Sequence, residues 1–362
     1  MDLFLTEDIM DLILKMTNLQ GRRANKEWMD LDLVDLRGYI GLLLLAGVYR
    51  SKNESLTSLW EEETGRIIFR ATMSLKKFRL ISDNVRFDDK RTRRACFRND
   101  KLAAFRTLWE KWTSILPVNF NPGRDICVDE QLVPFRGRCA FRQYIPSKPA
   151  KYGLKIYLIY GEAGWTSRRG GTGEAGPPRD DRGAPGLCCH LRNFFTSYGA
   201  AEEHLKSKIA LVGTIRKNKP KLPPQLLQVR GRATHSSIHA FTRTATAVSY
   251  IPKRGRNVLL LSAKHHRPEI RLGKQKPAII LAYNRCKGGV DNLDKVVSCR
   301  RKTNRWPVTL FHNLLDVSAY NAFVVWTTVD LHWNARKTPP PPPSQSQTHT
   351  HTHTLPAPIH TF

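Results

Sequence analysis

Apolar residues recur at helical spacing through the first third of the chain and alternate with polar ones through the middle. LTEDIMDLILKMTN (5–18) places Thr6 as an N-cap ahead of an amphipathic helix. LDLVDLRGYIGLLLLAGVY (31–49) and DKLAAFRTLWEKWTSIL (100–116) continue in that manner, the latter opening on Asp100, so residues 1–118 read as a helical region. The pattern changes after Pro122-Gly123. Ile126–Phe135 and KYGLKIYLIYG (151–161) read as strands, and IALVGTIRKN (209–218) and PAIILAYN (277–284) as further strands. AVSYIPKRGRNVLLLS (247–262) reads as a hairpin turning at Lys253–Arg256. A break at Gly288-Gly289 starts a helix at KGGVDNLDKVV, and VTLFHNLLDVSAYNAFVVW (308–326) is a long helix just after Pro307. Residues 337–362 collapse into Pro-rich and Thr-His sequence, a low-complexity tail expected to be disordered.

Charge sharpens this outline. The 362 residues carry 59 Lys and Arg against 31 Asp and Glu, a formal charge of +28. The surplus is concentrated: Lys206–Lys276 holds 17 basic residues and a single acid, Glu269. Polarised charge of this size points to a binding face for a polyanion, nucleic acid above all. The longest apolar run, YIGLLLLAGVY (39–49), is too short to span a bilayer, so no membrane partner is expected. MDLFLTEDIM lacks the basic start of a signal peptide, and seven cysteines without a CxxC pair fit reduced thiols inside a cell, not a zinc site.

Three carboxylates stand out as candidate chemistry. Asp129 lies within an apolar strand, where a carboxylate needs a partner or a cation. Asp291 and Asp294 are three apart at a helix start and share one face. A strand Asp combined with helix carboxylates suits a metal site for phosphoryl transfer. The same spacing equally permits Asp129 to pair with Arg138 and Asp291 to cap its helix.

The flanking motifs decide between these readings. VDEQLVPFRGRCAFRQYIPSKPAKYGLKIY (128–157) resembles the first catalytic segment of piggyBac-family transposases, and KGGVDNLDKVVSCRRKTNRWP (287–307) resembles the third. NFFTSYGAAEEHL (193–205), GTIRKNKPKLPP (213–224) and DVSAYNAFVVW (316–326) match the family between and after them. The resemblance implies an α/β chain: a helical dimerisation and DNA-binding domain over 1–118, then an RNase H-like transposase core over 119–336 with a β-rich insertion at about 210–275. It also implies a DDD triad that binds Mg²⁺ for cut-and-paste transposition, a DNA partner, a homodimer and a nuclear location. RKNKPK (216–221) doubles as a candidate nuclear signal. By motif match Asp129 is the first catalytic and metal-binding aspartate, Asp291 the third and Asp294 a supporting carboxylate. Arg136, Arg138, Lys148, Lys151, Lys155, Lys302 and Arg305 are the implied DNA contacts.

The chain departs from that pattern at one decisive position. The family's second aspartate directly precedes Asn-Phe-Phe-Thr-Ser, and Arg192 stands there. A cation replaces an anion, so the expected protein binds DNA with an incomplete metal site. Upstream, residues 162–186 are Gly/Arg-rich with no strand pattern, so the strand that should support the second aspartate is expected to be lost. A codon choice exists for Arg179–Arg192 that, read one base later, spells a peptide resembling the family's approach to that aspartate; this is compatible with a shifted reading frame ending at Arg192. The family's Cys-rich finger is absent, and DKVVSCRRKTNRWP is shorter than its equivalent. Two alternatives stay open. Asp180, Asp181 or Glu174 could replace the lost ligand in an active transposase, or the chain is a decayed element product without a stable role.

Overall fold

The computed structural model describes residues 1–96, 98, 100–119, 124–146, 148, 150–162, 187–271, 275–287, 301–330 and 356–361. The first part is helical: α1 (Glu7–Ala24), α2 (Leu33–Val48), α3 (Leu56–Trp60), α4 (Ile67–Thr72), α5 (Leu75–Asn84), α6 (Arg93–Cys96) and α7 (Arg106–Asn119). α1 buries Ile9, Met10, Ile13 and Thr17 along one stripe. Thr6 sits at its N-cap, but its hydroxyl donates to Asp8 instead of accepting a backbone N–H. Asp32 caps α2 by accepting from the Asp35 N–H at 2.7 Å. The expected start of α7 at Asp100 is displaced to Arg106, whose guanidinium holds the Asp100 carboxylate in a bidentate pair at 2.8 and 2.9 Å.

Past this region come β1 (Asp125–Pro134), β2 (Arg142–Tyr144), β3 (Tyr152–Glu162), β4 (Leu187–Leu191), α8 (Tyr198–Lys206), β5 (Ile209–Thr214), α9 (Pro224–Leu227), β6 (Ser237–Phe241), β7 (Thr246–Lys253) and β8 (Arg256–Ser262). There follow β9 (Ile270–Arg271), β10 (Lys276–Pro277), α10 (Ala278–Cys286), α11 (Trp306–Val329) and β11 (Pro356–Thr361). One large sheet runs β11-β3-β1-β4-β5-β8-β7-β6, with β2 also paired to β3. β1–β4 and β4–β5 are parallel, and β1–β3, β5–β8, β8–β7 and β7–β6 antiparallel. The β7–β8 hairpin turns at Arg254-Gly255, where Gly255 has φ +74°, a left-handed conformation that glycine adopts without steric cost. β8 bonds directly to β5, so β6, β7 and β8 of the basic 210–275 stretch extend this sheet, while β9 pairs with β10 in a separate two-stranded sheet. Two of the low-complexity residues, Pro356 and Pro358, lie in β11 at the sheet's edge, a position compatible with the missing proline donor.

Two sequence expectations fail for physical reasons. LCCHL (187–191) is a strand after all: β4 sits between β1 and β5, with Cys188, Cys189, His190 and Leu191 all buried. A short apolar run meets the demands of a parallel strand covered on both faces, whatever precedes it. PAIILAYN forms helix α10, not a strand. Ile279, Ile280, Tyr283 and Cys286 are its buried residues, at helical and not alternating spacing.

α11 joins the two halves. Phe311 packs on Phe87, itself edge-on to Phe105, while Trp306 meets Phe141 edge-on. Arg305 donates to the carbonyls of Ser82 and Asp83 at 3.0 Å each, and also to that of Val85 at the end of α5. Arg301 donates to the carbonyls of Ser51 and Glu54 at 3.1 and 2.7 Å. One apolar core therefore runs from Phe4 and Ile9 through Trp112 to Leu158 and Leu314. Buried within it, the Trp112 indole N–H donates to the Ser318 hydroxyl at 2.9 Å. Trp112→Phe removes that donor and leaves Ser318 without it, so it should cost about 1–3 kcal/mol. The loss should appear as a lower denaturant midpoint in one cooperative transition monitored by both tryptophan fluorescence and circular dichroism.

Candidate functional site at the ends of the parallel strands

Side chains alternate along β1, so Asp125, Cys127 and Asp129 share one face; Cys188 and His190 share the matching face of the parallel neighbour β4. β1 and β4 run in register to Val128 and Leu191. The next residue on each, Asp129 and Arg192, therefore emerges at the same end of the sheet. Asp129 is 1% exposed, and its Oδ2 lies 2.6 Å from Nη2 of Arg192. Its other oxygen, Oδ1, accepts the Glu130 backbone N–H at 2.7 Å. Asp129 thus pairs with Arg192, and not with Arg138 as the sequence also allowed.

The turn that delivers Arg192 is held from below. Phe195 N–H donates to the Arg192 carbonyl at 3.1 Å, and the Thr196 hydroxyl faces the carbonyls of Arg192 and Leu191 at 3.1 and 3.4 Å. Ser197 then caps α8 by accepting from Ala200 N–H at 3.1 Å. Gly213 of β5 makes room for this turn: a Cβ there would fall 2.2 Å from Thr196 Oγ1 and 2.5 Å from the Leu191 carbonyl oxygen. On the Asp129 face, α10 brings Tyr283. Burial raises the pKa of its phenol, and Arg192 and Asp129 act on it with opposite signs.

Comparison with known proteins places this arrangement in a family. The family model described as Transposase IS4 matches residues 2–168 and 187–323. The chain belongs to the piggyBac-type transposase family. A solved piggyBac transposase, in a synaptic complex with hairpin DNA, superposes with a TM-score of 0.80 at 31% identity, covering 90% of this chain and 74% of that one. PiggyBac transposable element-derived protein 3 of Homo sapiens is 25% identical over 160 residues, 43% of this chain and 26% of that protein. The Chimeric ERCC6-PGBD3 protein of Homo sapiens matches to the same extent, over 14% of its length. The chain thus spans about a quarter or less of the curated human relatives it matches.

Of the residues singled out from the piggyBac motifs, Asp129 and Arg192 come together, while Asp291 and Asp294 lie outside the described residues. Asp180, Asp181 and Glu174 lie outside them too. The basic residues divide by role. Arg136, Arg138, Lys151 and Lys302 are exposed, and Arg136 and Lys302 line a cavity of about 640 Å³ together with Lys52 and Arg301. Lys155 is paired with Glu130 at 2.7 Å, and Lys148 donates to the Glu130 carbonyl at 3.0 Å. Arg305 is committed to the carbonyls at the end of α5.

PiggyBac-type transposases generally use a divalent metal. The described residues at Asp129 do not by themselves fit one, because the Arg192 guanidinium holds its Oδ2 at 2.6 Å. At about 4 Å and an effective dielectric near 20, a divalent ion would be repelled by this Arg by roughly 8 kcal/mol, as much as a carboxylate there would attract it.

Sequence reasoning missed the group one turn of the pleat below. Asp125, Cys188 and His190 bring a carboxylate, a thiol and an imidazole within 4.8 Å of one another. His190 Nε2 is 3.1 Å from Asp125 Oδ1, and Lys264 and Arg285 approach the same carboxylate at 3.4 and 3.2 Å. Burial opposes ionisation of Asp125, yet His190, Lys264 and Arg285 hold its carboxyl well below the usual range. Burial also pushes the thiols of Cys188 and Cys189 up to about 12. The group is therefore a compensated charge network.

Gly213→Ala should force Thr196 and the Leu191 carbonyl apart and cost about 1–3 kcal/mol of stability. Equilibrium urea unfolding checks this, with Gly199→Ala, which would meet nothing within 4 Å, as the comparison expected to stay near wild type.

Proposed function

We propose that this protein is a DNA-binding member of the piggyBac-type transposases whose phosphoryl-transfer site does not cleave DNA. One observation carries the reading: the buried Asp129 carboxylate is paired with Arg192 at 2.6 Å, and the motif resemblance implies an aspartate at position 192. DNA affinity is supported by the +28 charge and by the likeness to a transposase solved with hairpin DNA. A nuclear location and assembly as a homodimer belong to the same proposal.

Binding through Lys and Arg to phosphates releases counterions, so affinity should fall linearly on a log–log plot against salt. With six to ten phosphates neutralised, raising salt from about 50 to 200 mM should weaken binding roughly 10³–10⁵-fold. Fluorescence anisotropy with a labelled duplex measures this, and an affinity flat over that range would refute the electrostatic mode.

Catalysis is tested at Arg192. The wild-type protein should nick end-bearing DNA in neither Mg²⁺ nor Mn²⁺, and Asp129→Ala should change nothing in that assay. Mg²⁺-dependent nicking lost in Asp129→Ala would overturn the reading. Arg192→Ala strands the Asp129 carboxylate and should destabilise the fold, toward the lower end of about 3–5 kcal/mol because Arg192 is 34% exposed. Arg192→Asp should be destabilised in chelator and regain melting temperature on adding Mn²⁺, whereas wild type should show no such shift.

A further inference from the structure

We propose that Phe194 is a stacking platform for an unpaired nucleobase, with Lys155 and Arg216 beside it as contacts for the adjoining phosphates. The proposal rests on the DNA-binding reading above and names a specific part of that surface. Phe194 lies two residues after Arg192, in the turn between β4 and α8, and 54% of it is exposed. Single exposed aromatics are ordinary on protein surfaces. This one differs in its support and in its neighbours. Phe195 is edge-on to Phe194, with centroids 5.1 Å apart, and also edge-on to Tyr157 at 5.1 Å, so the exposed ring is buttressed from within. The Lys155 ammonium lies over the Phe194 ring, 5.2 Å from its centroid, and the Arg216 guanidinium over it at 5.6 Å, so both cations contact its π-system.

Charge and shape select the occupant. A phenyl ring offers no hydrogen-bonding group, so its exposed area can take only a flat or apolar partner. The Arg216 guanidinium over it, and the further basic residues Lys217, Lys219 and Lys221 that follow, select one that carries negative charge. A nucleotide combines both properties. Bases inside a duplex have their faces covered by neighbouring pairs, so the base must be unpaired, in an overhang or extruded from the helix. Stacking of this kind tolerates any base, because every base has a π-face. Lys155 is itself anchored by Glu130 at 2.7 Å, which fixes one cation relative to the ring before any nucleic acid arrives.

The test uses the full chain with two oligonucleotides, a blunt duplex and the same duplex bearing a single-stranded overhang with 2-aminopurine. Wild type should bind the overhang substrate more tightly and alter its 2-aminopurine fluorescence. Phe194→Ala should weaken overhang binding by about 5- to 150-fold, abolish the fluorescence change and leave blunt-duplex affinity as it was. Phe194→Trp should restore both signals, which a merely structural role for the ring would not predict. Arg216→Ala should lower the salt slope of overhang binding by about one. Equal wild-type binding of the two substrates with unchanged 2-aminopurine fluorescence would overturn the platform while leaving the DNA-binding reading intact. Equal weakening of both substrates by Phe194→Ala would also overturn it. Absence of wild-type binding to either substrate would remove both readings.

Discussion

A carboxylate that is 1% exposed must be compensated, and in this protein the compensation is a guanidinium. That constraint organises the centre of the molecule. Asp129 is buried by its place in a strand covered on both faces, and Arg192 reaches it because the parallel neighbour ends at the same level. The arrangement requires β4 to be in register with β1 and the Arg192 turn to be fixed by Thr196. It also requires β5 to approach closely enough that only glycine fits at residue 213. In a metal-dependent site the same burial would be offset by a divalent cation held between carboxylates. Among the described residues, a fixed positive charge from the chain, Arg192, lies against this carboxylate.

The surrounding charges show the same economy. Asp125 is compensated by His190, Lys264 and Arg285. Glu130 is compensated by Lys155, and Lys148 donates to its carbonyl. Several basic residues that sequence motifs suggest for nucleic acid thereby also hold the fold together. Arg301 and Arg305 go further, tying α11 to the backbone of the first helices. What is left facing solvent is a smaller set, Arg136, Arg138, Lys151 and Lys302, and part of it converges on one cavity.

Much of this was legible in the residues, and the exceptions have identifiable causes. The alternation in Ile126–Phe135 and KYGLKIYLIYG marked β1 and β3, and the Lys253–Arg256 turn marked the β7–β8 hairpin. Asp129 and Arg192 were each readable as anomalous, since a buried strand carboxylate and a misplaced cation each violate a local expectation, but their pairing needed the register of β1 and β4. PAIILAYN misled because an eight-residue, mostly apolar segment is too short to separate a period of two from 3.6. LCCHL was overlooked because its upstream neighbours carry no strand signal, and partners far away in sequence supply the hydrogen bonds that make it a strand. The Asp125 network joins residues from four parts of the chain, and only folding brings them together. Phe194 needed the positions of Lys155 and Arg216 before its exposure meant anything.

The strand β4 carries a broader consequence. A slot between two strands makes few demands of its occupant: five residues, an extended backbone and side chains that tolerate burial. Leu-Cys-Cys-His-Leu meets those demands and completes the sheet, although nothing about it prepares the chemistry one residue later. Architecture in such a protein is permissive where catalysis is exacting. A strand of this kind therefore completes the sheet without fixing which side chain follows it at position 192.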